Sequence, residues 1–376
     1  MGKRRIVSEE LEIGSVLAWD AFDERGRLLL RKGYVVDRNS QIEALIERGL
    51  FVQQDPTAAP TKPVAPKPEP TALSCVLEVR HRLEVLSAPN GPRDNFPQQL
   101  LGLRRLIAEA CRLNEDVALA TALLERQGRY SIRHAVDVAV ACHSVGPALG
   151  IDEPELSSTI AAALTMNMSI LHMQDDLQGQ QNPLSDTQRE VIRRHPETSA
   201  ALLRDRGVTD KLWLDAVLYH HEAIDGTGYP RGKRGQEIPL AAQLVSLADV
   251  YCARISNREY RRGLRPNAAL RALFLDQGKK VAEGLINRFI KAIGVFPPGT
   301  PVRLENGEIA VVTQRGENAG KPQVCSIMGP RGMPFAVPIK RDTGRATYGV
   351  REVVEWNEVG AAPAMQILWG KAAAAQ

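Results

Sequence analysis

The chain has 376 residues, 44% of them hydrophobic and 24% charged, with 48 Lys and Arg against 44 Asp and Glu. That length allows two or three domains and a well-buried core. A net charge of +4 suits an anionic ligand but is too mild to argue for wrapping nucleic acid, and no apolar run reaches the roughly 18 residues that a membrane span needs. Five scattered cysteines (Cys75, Cys111, Cys142, Cys252, Cys325) without C-x-x-C spacing read as reduced thiols of a cytoplasmic protein. Residues 1–12 are charged and lack the apolar stretch of a secretory signal.

In chain order, residues 1–54 read as a small α+β module. Leu11 to Trp19 and Leu28 to Val36 are expected strands joined by a turn at Asp23-Glu24-Arg25-Gly26. Asn39 or Ser40 then caps a short helix that ends at Gly49. Residues 55–73, rich in Pro and Ala, read as an extended linker. From residue 74 to 295 the apolar spacing is helical almost throughout, giving a mainly α core domain. It breaks at Pro89-Asn90-Gly91-Pro92, and a new helix is expected to start at Asn114. Ser185 with Gln188 matches a capping box for the helix that delivers His195, and Pro239 is expected as first residue of the helix Leu240–Ile255. In that last helix Asp249 shares a face with Val245 and Cys252, and a carboxylate on a buried face is costly unless it binds a cation or is fully hydrogen-bonded. Residues 296–356 switch to short alternating runs (Val302-Arg303-Leu304, Ile309 to Val312, Val324 to Met328) separated by Gly and Pro, the mark of a small β module. The alanine-rich tail, 357–376, carries little signal beyond an amphipathic turn around Leu368 and Trp369.

The stretch from His220 to Pro239, H-H-E-A-I-D-G-T-G-Y-P-R-G-K-R-G-Q-E-I-P, concentrates the chemistry. Adjacent helical residues lie about 100° apart, so His220 and His221 splay to either side of one focus. Neutral imidazoles are the commonest metal ligands, and glycines such as Gly228 let a backbone approach a ligand closely. An isolated His-His pair reads more readily as a helix end with two buried, hydrogen-bonded imidazoles, but the full string is far more specific. H-H-E-x-x-D-G-x-G-Y-P-x-G resembles the signature of the HD-GYP family, bacterial metal-dependent phosphodiesterases of cyclic di-GMP. The resemblance runs from about Tyr130 to Val312. It implies an HD-type helical core and metal ligands at His134, His195, His220, His221 and Asp249. It also implies nucleotide contacts at Tyr229, Gly228, Arg258 and Arg261, and it makes GGDEF-type diguanylate cyclases a candidate partner class.

One departure is as informative as the match. The family's namesake His-Asp pair is expected 29 positions before His195, where this chain has Met166 and Asn167, and Ile170 stands at the position of the family's lysine. A thioether suits Cu(I), not the harder ions of phosphoester chemistry, and an asparagine offers no negative charge. Two divalent ions would share a single certain carboxylate, so the expectation is one divalent ion (Zn, Fe or Mn) on His195, His220 and His221, or none. Three imidazoles and a water form a known zinc arrangement. The favoured reading is a degenerate regulator that binds cyclic di-GMP, a related nucleotide or a protein partner with weak or no hydrolysis. A working phosphodiesterase with an altered site and a protein-interaction scaffold are the alternatives.

Overall fold

The computed structural model describes residues 3–5, 20–23, 25–34, 51–53, 69–257, 263–276 and 280–375. The chain divides into two compact units, residues 1–69 and 70–376. In the first, β1 (Lys3–Arg5), β2 (Ala21–Phe22), β3 (Leu28–Leu30) and β4 (Phe51–Gln53) form an antiparallel sheet in the order β1-β4-β2-β3. The expected turn joins β2 to β3, closed by Arg27 N–H donating to Asp23 Oδ1 at 2.8 Å. The strand expected over Leu28–Val36 is shorter: the chain turns at Lys32 and Gly33, where Gly33 has a φ of 91°, and Lys32 N–H donates to Asp20 Oδ1 at 2.7 Å. The strand expected at Leu11–Trp19, the helix after Asn39 and most of the expected linker lie outside the described residues.

The second unit is mainly α. It comprises α1 (Ala72–Ser87), α2 (Phe96–Leu124), α3 (Tyr130–Val145), α4 (Glu153–Thr165), α5 (Leu171–Gly179), α6 (Asp186–Asp205), α7 (Lys211–Tyr219), α8 (Leu240–Ile255), α9 (Pro266–Leu275) and α10 (Leu285–Ile293). Helix α1 starts inside the stretch read as linker because Thr71 and Ser74 form a reciprocal capping box. Helix α2 is two helices abutting at Asn114, whose backbone is extended and whose Oδ1 accepts Val117 N–H at 3.0 Å, so the predicted helix start there is met. Pro239 falls one residue earlier than expected, at the cap position of α8. Helix α3 packs against α1, α2, α4, α5, α8 and α10 and is the centre of the core. Its Ala, Val and Ser side chains are buried nearly all round, which lets neighbouring helices approach from every side.

Five antiparallel strands follow, β5 (Pro301–Leu304), β6 (Ile309–Gln314), β7 (Gln323–Met328), β8 (Pro334–Asp342) and β9 (Val350–Val353), in the order β8-β7-β6-β5-β9. Sequence reading expected three of them. Strand β8 carries Pro334 and Pro338 and is mostly exposed, a composition tolerated at a sheet edge and poor as a strand signal. Arg315 fastens the sheet to the helices: Nε donates to Asp116 Oδ1 at 2.6 Å, Nη1 to Ala292 O at 2.7 Å, and Nη2 pairs with Glu115. The tail turns through α11 (Trp356–Val359) and α12 (Met365–Trp369). Met365 and Ala373 pack on Ala72, Leu73, Val117 and Ala120, while Trp369 Nε1 donates to Thr313 O at 2.8 Å. All five cysteines are buried and free, and no helix among the described residues is long and apolar enough to cross a membrane.

One buried hydrogen bond ties the end of α4 to α7: Trp213 Nε1 donates to Thr165 Oγ1 at 2.8 Å. Thr165→Val keeps the shape and strands the indole N–H, at a cost of about 1–3 kcal/mol. A lowered urea midpoint with unchanged slope is the expected result; an unchanged midpoint would mean that the contact contributes nothing to holding the two helices together.

Candidate functional site

Helix α6 begins at the predicted capping box, with Gln188 N–H donating to Ser185 Oγ at 3.1 Å and Ser185 N–H to Gln188 Oε1 at 2.9 Å. Two turns later it buries His195, Pro196, Ser199, Ala200 and Leu203 on one stripe. Pro196 has no N–H, so the carbonyl four residues earlier, on Ile192, loses its helical donor. His195 takes that place, Nδ1–H donating to Ile192 O at 2.6 Å. Helix α7 achieves the same by stopping. Its last carbonyls have no helical partner, and His220 Nδ1–H donates to Val217 O at 2.7 Å.

A carbonyl can only accept, so both imidazoles carry their proton on Nδ1 and leave Nε2 bare. These two bare nitrogens lie 3.1 Å apart. His221 completes the group: its ring centroid is 4.1 Å from that of His220 and 4.9 Å, edge-on, from that of His195. One ligand atom from each of the three lies within 4.8 Å of the others. Burial disfavours charge on all of them. It pushes His195 down to about 3, with the His220 ring adding to the effect, and drives His220 and His221 downward as well. Protonation is thus an expensive way to relieve two facing lone pairs, and a cation satisfies both at once. The donor set fits an imidazole-seeking divalent ion.

The five expected ligands divide into this trio and a pair. His134, on α3, donates from Nε2 to Asp249 Oδ1, on α8, at 2.7 Å. Burial raises the Asp249 carboxyl, but the His134 hydrogen bond and the surrounding imidazoles outweigh it and hold the group below the usual carboxylate range. His134 Nδ1 is buried and has no partner, and Tyr130 stacks on the ring at 5.4 Å. Asp249 lies outside the trio's common radius among the described residues.

The loop after His221 is held by a residue whose role sequence reading missed. Glu222 is buried and its carboxylate accepts Arg231 N–H at 2.6 Å and Lys233 N–H at 2.9 Å. Gly228 passes so close to the chain that a Cβ would lie 2.3 Å from Ala223 N and 2.5 Å from Glu222 Cα, so no side chain fits there. Tyr229 N–H donates to His221 O at 3.1 Å, the Tyr229-Pro230 bond is cis, and the Tyr229 ring stacks on His221 at 4.7 Å. One face of the ring expected to contact the nucleotide therefore backs the histidine trio. Arg231 ties the loop rim to Glu197 of α6 at 2.8 Å. Arg258 and Arg261 lie outside the described residues.

Met166 and Asn167 follow α4 in a buried turn, with Met166 wholly inside the apolar core and Ile170 also buried. Ser169 holds this turn against α6: its N–H donates to Ser199 Oγ at 3.1 Å and its Oγ donates to His195 O at 3.2 Å. The segment thus borders the His195 backbone without bringing a carboxylate to it.

Removing the Glu222 carboxylate should release the loop. Glu222→Ala is expected to cost about 1.5–3 kcal/mol, the scale of hydrogen bonds to a charged group, with Glu222→Gln intermediate, read from thermal unfolding. Equal stability of the three proteins would show that the loop is held by other contacts.

Residues 113–282 match the HD domain family. A cyclic di-GMP phosphodiesterase of Pseudomonas aeruginosa is 28% identical over 364 residues, 87% of this chain and 86% of that protein. The cyclic di-GMP phosphodiesterase response regulator RpfG of Xanthomonas campestris is 29% identical over 58% of this chain and 57% of its own length. An HD-GYP protein of Bdellovibrio bacteriovorus of known structure covers 77% of this chain and 98% of that one at 16% identity, with a TM-score of 0.48. The match falls on the helices that carry the five site residues, so residues 113–282 are an HD domain, in a chain similar in sequence to cyclic di-GMP phosphodiesterases.

Proposed function

We propose that the protein is a cyclic di-GMP signalling protein that binds the nucleotide, or a related cyclic dinucleotide, with weak or no hydrolysis, and that it holds one divalent ion (Zn, Fe or Mn) on His195, His220 and His221. The observation that carries this reading is the composition of the trio: three neutral imidazoles gather with no carboxylate among them. Two doubly charged ions about 4 Å apart repel by roughly 16 kcal/mol at an effective dielectric of about 20. Asp249 alone offsets little of that, and it is already engaged by His134. When bound, a single ion supplies Lewis-acid polarisation of a phosphate oxygen. The chain's own residues then bind and orient: the carbonyls of Ile192 and Val217 aim two imidazoles, Tyr229 backs the third, and the Glu222-held loop closes one wall. Met166, Asn167 and Ile170 are the positions at which the resemblance places a histidine ligand, a bridging carboxylate and a lysine, and all three are buried. A cytoplasmic location, and a GGDEF-type cyclase as partner of the Tyr229 loop, belong to the same proposal.

The competing reading, slow hydrolysis at a single ion, draws on the relatives named as phosphodiesterases. Metal content by mass spectrometry and nucleotide turnover by chromatography separate the two. One ion per chain or none, with turnover at least about 10–100-fold below that of an active family member, is expected. Two firmly held ions with robust hydrolysis would refute the proposal. Asn167→Asp, alone and with Met166→His, is expected to raise both metal uptake and turnover.

A further inference from the structure

Beside His134 lies a pocket of about 140 Å³ walled by Arg126, Tyr130, Arg133, His134, Asp137 and Asn257. It is small against the roughly 300–1,000 Å³ of sites that enclose a whole ligand, and it has room for one phosphate with part of its sugar. Its charge is unbalanced. Asp137 is its one carboxylate among the described residues, and Arg80 already occupies it, Nη2 lying 3.0 Å from Asp137 Oδ1 while Nη1 donates to Glu125 O at 3.2 Å. Arg133, one residue before His134 on α3, keeps a buried Nε with no hydrogen-bond partner. Neither Arg133 nor Arg126 forms an ion pair among the described residues, which leaves two cations against no free anion. Planar guanidinium donors match phosphate oxygens in paired hydrogen bonds.

We propose that Arg133 and Arg126 form a phosphate subsite that holds one phosphodiester of the cyclic dinucleotide next to His134. The inference rests on the nucleotide-binding reading above and assigns two residues that lie outside the family signature. The phosphate enters between the two guanidiniums, with Tyr130 and His134, stacked on each other, lining the same pocket.

Calorimetric titration of cyclic di-GMP into the full chain tests it, with Arg133→Gln, Arg126→Gln and Arg133→Lys as variants. Arg112→Gln is the control, since Arg112 is exposed and pairs with Glu109 at 2.6 Å. Arg133→Gln is expected to weaken binding about ten- to a hundredfold and Arg126→Gln by less, with Arg133→Lys partly restoring affinity and Arg112→Gln changing nothing. Binding should also become less sensitive to salt in both Gln variants, a response that a purely structural role would not produce. Should Arg133→Gln fail to fold, the exposed Arg126 position decides the matter. If the wild type binds and both folded Gln variants bind equally well, the subsite is overturned while the nucleotide reading stands. If inorganic phosphate alone binds as tightly as the nucleotide, the pocket is a free-phosphate site and the proposal is likewise overturned. If the wild type takes up no nucleotide, the function reading fails and takes the subsite with it.

Discussion

The site depends on two backbone carbonyls deprived of their helical donors. Ile192 loses its donor because Pro196 has no N–H, and Val217 loses it because α7 ends at Tyr219. Each orphan carbonyl then fixes the tautomer and the aim of one imidazole, at 2.6 and 2.7 Å. The ring nitrogen of a histidine ligand that faces away from the metal often donates to a carboxylate. Here the acceptor belongs to the main chain, so the orientation of the ligands is as rigid as the helices themselves. It also adds no negative charge, which leaves the trio electrically neutral.

That neutrality shapes what the surroundings must do. Among the described residues Asp249 is the carboxylate that acts on the imidazoles, and its charge is shared with His134. On the other side of His134 the balance reverses, with Arg126 and Arg133 against a carboxylate that Arg80 has taken. The helical core therefore offers a neutral nitrogen cluster where α6 and α7 meet, a buried carboxylate on α8 and a cationic pocket beside α3. A ligand that carries both a metal-seeking oxygen and a second negative charge complements that sequence better than a neutral one.

Much of this was legible in the residues. The capping box before α6, the His-Pro step, the His-His helix end and the apolar setting of Asp249 each have a local cause, and local causes survive in a single sequence. The division of five ligands into a trio and a pair came from the family resemblance and not from any local pattern, because it depends on how α3 and α8 meet α6 and α7 in space. Glu222 stood in plain view inside the motif, but its partners, Arg231 and Lys233, are main-chain groups that no side-chain pattern announces. Strands β8 and β9 escaped because an exposed edge strand with two prolines and a four-residue Val-Arg-Glu-Val run carry almost no periodicity. No sequence pattern singles out Arg133; its buried Nε without a hydrogen-bond partner emerges only from helix packing.

The tail deserves a different reading from its composition. Thr71 Oγ1 donates to Ala374 O at 2.8 Å, so the second unit begins and ends at one corner. Its helices and sheet form a closed circuit with a single seam, sealed by that hydrogen bond and the small apolar patch of Met365 and Ala373. A short peptide joining the two sides of the seam would convert the unit into a ring that can be reopened at an exposed loop without re-routing any helix around the histidines.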